Sequence, residues 1–422
     1  MHDITRKGGK GKDKDKKSGN NTIITGDASK LIDDIRKKIP GTYVDFQESL
    51  KKEKLCISTG SLTLDGIIGL GDNSGFPRAR FTEIFGWESS GKTTVAMLSA
   101  IKCIKGGGKV LYLDYEHSFN TTRLFQLAAA QGVSQKLMEN NFFLFTASTF
   151  GEGKKIIDAF FTSGIIIDEI FVDSIPAMIP DRLLNDDFTV DIDNNEIGLH
   201  ARNLQAFLVS LNKNILETDT AVILLNQMRL KFATGGFFQK PQEQSSGGNA
   251  IKFYTSLRID LKKFEVVTDN GKEDGEKIGI KVRARIKKSK ISAPERVGVF
   301  VILWDKGVDD SYSLVEIALA KGIATNPTQG YYNVGDEKLH GKEALRVYLN
   351  ENEELKKKIL THIDTIVTEV SEETVFPDEM QADDDDDVDI VTVPTETGTK
   401  IKRVKRVKES VATTESETKE GE

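Results

Sequence analysis

The sequence predicts an α/β protein with a mostly parallel sheet covered by helices on both faces, a short helix-strand element before it and a small α+β unit after it. Three observations lead there. Apolar runs rich in β-branched and aromatic residues recur as RFTEIFG (80–86), KVLYLDYE (109–116), FFLFTAST (142–149), EIFVDSIP (169–176), AVILLNQM (221–228) and SLRIDLKKF (256–264). Strands buried on both faces have no polar side to alternate with, which is the usual position in a parallel sheet. Helix-length segments such as TTVAMLSAIKCIK (93–105) and LHARNLQAFLVSLNKNI (199–215) lie between several of them, as in strand-helix-strand units. Later, KVRARIKKSK (281–290) and GVFVILWD (298–305) follow one another with no helix between, which predicts an antiparallel extension at one sheet edge.

Composition bounds the rest. The chain has 422 residues, 38% hydrophobic and 29% charged, enough for a large domain, a smaller one and tails. No apolar stretch reaches the eighteen or so residues of a membrane span, and the N-terminus lacks the apolar region of a secretory signal. Two separated cysteines, Cys56 and Cys103, argue against a disulfide framework or a zinc site and fit a reducing compartment. A formal charge of -7 taken alone disfavours a nucleic-acid partner, but the acid is concentrated in one place. Between 366 and 399 there is no Lys or Arg, and that stretch holds five consecutive aspartates at 383–387. Net charge therefore decides nothing about partners.

In chain order, residues 1–22 alternate Gly, Lys and Asp and predict a disordered basic tail. Within 23–55, an apolar stripe over 27–38 predicts an amphipathic helix, and GTYVDF (41–46) a strand. Such an element cannot bury its own apolar face and must pack on its own core or on another subunit. The α/β core spans 56–308. The segment 309–365, with short helical stretches around YYNV, predicts a small C-terminal domain, and 366–422 an acidic, then basic, disordered tail.

The chemistry begins at GWESSGKTT (86–94), which fits G-x-x-x-x-G-K-[ST] with a strand before it and a helix after it. Gly86 and Gly91 let Glu88, Ser89 and Ser90 turn backbone N–H groups toward phosphates. Lys92 reaches the β- and γ-phosphates, Thr93 can hold Mg²⁺, and Thr94 continues the helix whose N-terminus favours the anion. An ATP site with Mg²⁺ is the expectation. Asp173, ending EIFVD, supplies the second metal-holding position. A carboxylate ending KVLYLDYE would orient and deprotonate water. Asp114 and Glu116 share one strand face there, so periodicity leaves the choice open, with Glu116 slightly favoured because it lies further toward the crevice.

ISTGSLTLDGIIG, GWESSGKTT, LDYEH, FVDSIPAM, LLNQMRLK, SSGGNAIKFYTSLRIDL and KKSKISAP occur in the order found in bacterial RecA, and the chain resembles that family from about 27 to 363. The resemblance implies a RecA-type ATPase core and an N-terminal polymerisation element at 23–55. It also implies an ATP-dependent recombinase that filaments on single-stranded DNA, pairs it with homologous duplex and serves repair of damaged DNA and the SOS response. It makes Glu116 the catalytic glutamate and Glu88 an acidic residue of the phosphate loop. Gln227 becomes the sensor of the γ-phosphate, and Lys288 and Lys290 the lysines that reach a neighbour's ATP in a homo-oligomer. Two DNA-binding loops are implied at 180–202 and 228–248. They bring Ile197, Gly198 and Arg202 in the first, and Arg229, Lys231, Phe232, Gly247, Gly248 and the following Asn249 in the second. Arginine and lysine would meet phosphates, and Ile197 and Phe232 would wedge between base triplets. Phe237 and Phe238 either stack on bases or anchor the loop. Single-strand-binding or mediator proteins are further implied partners, and the location is the cytoplasm of a bacterium or of a phage-infected host, with no membrane.

The sequence also departs from the pattern. Arg123 stands where the family has a tyrosine against adenine, DNSGF (72–76) is an insertion, and the basic KIKRVKRVK (400–408) is not a family feature. Two alternatives use the same core: a ring-forming DNA translocase, for which 1–55 is too short and polar, and a DNA-coating filament that uses ATP only as a switch.

Overall fold

The computed structural model describes residues 33, 35, 37, 38, 56–69, 74–184, 198–231, 242–269, 274–360, 388–395 and 398–405. Two compact units divide the chain, Met1–Leu55 and Cys56–Glu422. In the first, residues 33, 35, 37 and 38 are helical, as the stripe over 27–38 predicts, and the strand expected at 41–46 lies outside the described residues.

The second unit is built on one large sheet. Its parallel part holds β1 (Phe81–Gly86), β2 (Val110–Asp114), β3 (Phe142–Thr146), β4 (Glu169–Asp173) and β5 (Ala221–Lys231). Short β6 (Gln242–Ser245) pairs with the end of β5, and β7 (Leu257–Thr268) runs parallel to β1. Then β8 (Lys277–Ser289), β9 (Val297–Leu303) and β10 (Gly307–Val308) add antiparallel strands, giving the order β10-β9-β8-β7-β1-β5-β4-β2-β3. The parallel core and the antiparallel extension are as the sequence predicts.

Strand alternation divides the core between the two faces. Val110, Tyr112, Phe171, Ile223 and Leu225 pack on one side with helices α1 (Leu62–Ile68), α2 (Lys92–Lys105) and α3 (Thr121–Ala130). Their strand neighbours Leu111, Leu113, Ile170, Val172, Val222 and Leu224 pack on the other, with α5 (Phe150–Ser163) and α6 (Leu199–Thr218). The helix α4 (Gln135–Asn141) sends Met138 into the first of these cores. Side-chain caps start several helices: Asn120 for α3, Ser134 for α4, and Thr149 for α5 in a reciprocal box with Glu152. On β8 the buried residues alternate (Ile280, Val282, Ala284, Ile286), because only one face of the extension is covered.

One local outcome differs from the sequence reading. FFLFTAST predicts a strand covered on both faces, but β3 is the last strand of the sheet, and Leu144 and Phe145 remain 38% and 41% exposed. The insertion at 72–76 ends inside the core: Phe76 is buried, and it exchanges two backbone hydrogen bonds with Ile57 (2.9 and 2.7 Å).

Helix α7 (Gly248–Tyr254) lies between β6 and β7, and after the sheet come α8 (Asp310–Ala320), β11 (Thr325–Thr328), β12 (Tyr331–Val334), β13 (Glu337–His340), α9 (Lys342–Glu351) and α10 (Glu353–Leu360). The segments from α8 to α10 share their own apolar cluster around Leu314, Val334, Leu345 and Ile359. This cluster is tied to the core through α1, where Leu62 N donates to Asp310 (2.9 Å) and Thr63 bonds Ser313 (2.6 Å). The tail expected to lack structure holds paired strands, β14 (Val388–Thr395) and β15 (Gly398–Lys405). Charge composition hides them, but both strands carry recurring Val, Ile and Thr, which favour extended backbone.

Candidate nucleotide site and nucleic-acid interface

The phosphate loop is pinned between strands. A Cβ on Gly86 would meet the Leu261 carbonyl oxygen of β7 at 2.2 Å, and one on Gly91 would meet Ile302 Cδ1 of β9 at 2.5 Å. Gly91 also sits at φ 91°, and Ser89 takes φ 57° beside it, so the loop turns back on itself before α2 begins. Gly91 supplies no side-chain cap to α2. The first N–H groups of that helix are left to an anion, whose charge the helix dipole favours.

Lys92 folds over this loop and donates to the carbonyls of Gly86 (3.0 Å) and Trp87 (2.8 Å). Burial lowers its pKa, and the charges of Asp173, Glu116 and Glu88 oppose that. Ser90 is buried and its hydroxyl has no partner among the described atoms, while Glu88 and Ser89 are exposed and Thr94 is half-buried. An unpaired buried hydroxyl and an ammonium resting on loop carbonyls are what a phosphate-shaped ligand would satisfy.

Three acidic side chains end β2 and β4 near the loop. Asp173 accepts from Tyr112 (2.5 Å) and from Thr93 (3.3 Å). Burial, aided by the nearby Glu116 and Asp114, raises its pKa to about 6 against those two hydrogen bonds. Thr93 and Asp173 fit Mg²⁺, which takes one or two protein oxygens and completes its shell with phosphate and water. Among the described residues no cluster of three or more His, Cys, Asp or Glu is placed to hold a metal ion by itself.

Asp114 is almost fully buried and accepts the backbone N–H groups of Ser118 (3.3 Å) and Phe119 (2.9 Å). Glu116 is exposed and accepts from Gln227 (2.9 Å) and from the Ser174 hydroxyl. Asp114 is thus committed to holding a turn, and Glu116 faces the crevice. Gln227 lies directly beside Gly86 in the β1–β5 register. It is therefore next to the phosphate loop at the point where β5 leaves the main sheet.

Tyr112, Ser174 and Asn226, whose amide oxygen accepts from Gln227 N (2.9 Å), belong to this site and are absent from the sequence reading. For Tyr112 a signal existed: it shares the period-two face of Asp114 and Glu116.

Lys288 and Lys290 are not brought to the loop of their own chain. Lys288 is level with Arg258, which pairs with Glu83, whereas Gly86 pairs with Leu261. That is three residues, on the order of 10 Å, down the strands. Lys288 donates to the Lys252 carbonyl (2.5 Å), and burial together with the charges of Lys290 and Arg258 lowers its pKa. Arg123, at the position of the family's adenine-stacking tyrosine, donates to the Trp304 carbonyl on the turn after β9.

Of the loops, 185–197 and 232–241 lie outside the described residues, and with them Ile197, Phe232, Phe237 and Phe238. Gly198, at φ 91°, precedes α6 without a side-chain cap, and Arg202 is exposed in its first turn. The second loop is not open from its first residue. Met228–Lys231 pair antiparallel with Gln242–Ser245, so β5 and β6 make a two-stranded stalk carrying exposed Arg229 and the backbone of Lys231. Gly247 and Gly248, both at positive φ, then turn the chain into α7, which includes Asn249.

The family model for the RecA N-terminal domain matches residues 28–309. Protein RecA of Oleidesulfovibrio alaskensis is 33% identical over 333 residues, covering 78% of this chain and 88% of that protein. Protein RecA of Acinetobacter baylyi is 34% identical over 331 residues, with the same two shares. The chain belongs to the RecA family. Another relative, DNA repair protein recA homolog 3, mitochondrial, of Arabidopsis thaliana, is 33% identical over 307 residues, or 72% of this chain and 66% of that protein. RecA proteins are ATP-dependent recombinases of homologous pairing and repair that use ATP with Mg²⁺, and membership gives this chain that activity. No helix among its described residues is long and apolar enough to cross a membrane.

Proposed function

We propose that the chain forms a helical filament on single-stranded DNA, with ATP bound between subunits, and couples hydrolysis to strand exchange with homologous duplex. The observation that carries this reading is the place of Gln227. It sits beside Gly86, bonds Glu116, and is the last residue before the stalk of the second loop. A side chain there responds to the nucleotide and is joined by backbone to the segment that would hold DNA.

In this reading the phosphate-loop N–H groups and Lys92 bind the triphosphate, and Lys92 exchanges its loop carbonyls for phosphate oxygens. Thr93 and Asp173 would hold Mg²⁺, which would neutralise charge on the phosphates. Glu116 orients the attacking water and takes its proton, with Ser174 and Gln227 fixing the carboxylate. Lys288 and Lys290 act on a neighbouring subunit's site, as an arginine finger does. Arg202, Arg229 and Lys231 meet DNA phosphates, with Ile197 and Phe232 as wedges between triplets. We assign 23–55 to polymerisation, 309–365 to a small C-terminal domain, the cytoplasm as location, and single-strand-binding or mediator proteins as loading partners.

Lys92→Ala tests the core of it. ATP-dependent strand exchange and DNA-stimulated hydrolysis should both vanish, and full exchange by the variant would overturn the mechanism. Negative-stain images of the wild-type protein with single-stranded DNA and a non-hydrolysable ATP analogue should show helical filaments. Closed rings would favour a translocase.

A further inference from the structure

Glu83 is the only charged residue of β1, and it is fully buried three residues before the phosphate loop. A carboxylate at 0% exposure is costly unless hydrogen-bonded and paired. Its partners are Arg258, the residue directly across the β1–β7 register, whose Nε donates to Oε2 (2.5 Å), and Asn226, whose amide donates to Oε1 (2.8 Å).

Each partner then reaches further. Asn226 also donates to the Ser246 carbonyl (2.9 Å) and accepts from Gln227 N (2.9 Å). Arg258, 13% exposed, donates to the Ser245 hydroxyl (3.1 Å) and lies over the Phe85 ring, 4.8 Å from its centre. One carboxylate on the phosphate-loop strand therefore gathers the entry of the second loop (Asn226, Gln227) and its exit (Ser245, Ser246). A buried ion pair is a poor source of stability, since well-packed apolar residues commonly serve as well. This one joins β1, β7 and both legs of the second loop through Glu83, Arg258 and Asn226, which suits a positioning task.

We infer that Glu83 is a positioning residue that clamps both ends of the 228–248 loop to the phosphate-loop strand, so that a nucleotide-driven change at Gln227 moves the exit of the loop together with its entry. The inference rests on the proposed role of that loop in holding DNA. Coupling through a packed, hydrogen-bonded network of this kind is worth about 5–150-fold in affinity.

The experiment compares wild type, Glu83→Gln and the apolar double replacement Glu83→Leu/Arg258→Met. Two affinities are read for each: a fluorescent ATP analogue without DNA, and a labelled oligo-dT with ATPγS against ADP. Both variants should bind the nucleotide within about threefold of wild type while the ATPγS-to-ADP ratio of DNA affinities falls by about tenfold. A folded double variant with the wild-type ratio would reduce the network to core filling and overturn the inference alone. A wild-type protein whose DNA affinity ignores the nucleotide would instead overturn the loop's role, and the inference with it. Hydrogen exchange on the unmodified protein gives an independent readout. On adding ATPγS, the amides of Ser245 and Ser246 should gain protection together with those of Met228 and Arg229, and protection confined to the entry leg would refute the clamp.

Discussion

Asp114 and Glu116 lie on one strand face yet have different partners, and that difference predicts separable defects. Asp114 accepts one backbone N–H group on each carboxylate oxygen, and an amide offers only one such oxygen, so Asp114→Asn should cost about 1–3 kcal/mol of stability. Glu116→Gln should leave the melting temperature near wild type and lower kcat by about 10²–10⁴-fold, with ATP still bound. Steady-state kinetics and thermal melts on the two variants decide it, and the reverse pattern would exchange their roles. Alternation could not separate the two in the sequence, because residues two apart share a face and the turn that captures Asp114 is made by amides beyond the strand. The contact made by Arg123 was illegible for a different reason. Its partner, the Trp304 carbonyl, is 181 positions away and belongs to an element whose placement only the sheet order reveals.

At the level of elements, β4 opens with a second buried acid. Glu169 is fully buried, accepts from Ser99 (2.7 Å), and has one oxygen without a partner among the described atoms. Burial raises its pKa from an ordinary 4.5 to about 8. The native state therefore holds a proton that the unfolded chain releases between those values. Its stabilising effect is fully present below about pH 4.5 and is lost as pH climbs to about 8. Glu169→Gln keeps an acceptor for Ser99 and removes the titration, so it should raise the melting temperature at pH 8 and leave it unchanged at pH 5. The size should be roughly 2–4 °C per kcal/mol recovered, and an equal shift at both pH values would contradict the assignment. The strands themselves were legible as continuous apolar runs, and the loop as a glycine pattern with correct flanks. The stalk of β5 and β6 was not, since polar RLK and QEQS carry no burial pattern and pair only because the chain returns on itself.

For the molecule as a whole, the parallel core and its antiparallel extension could be read from apolar runs and from where helices intervene. The exposure of β3 could not, because a run of aromatic residues looks the same in the middle of a sheet and at its border, and only strand order tells them apart. Nor could the strands at 388–405, masked by the charge around them.

The distance between the phosphate loop and Lys288 has a consequence for how the protein must be handled. If those lysines serve the next molecule's nucleotide, a solitary chain is an incomplete enzyme, and turnover per molecule is set by how crowded the solution is. With no DNA present, specific ATPase activity should drop steeply on dilution. Lys288→Ala and Lys290→Ala chains mixed with wild type should poison it out of proportion to their share. Activity strictly proportional to protein over a hundredfold range, about 10⁻⁸ to 10⁻⁶ M on the scale of oligomer dissociation, would mean each molecule works alone.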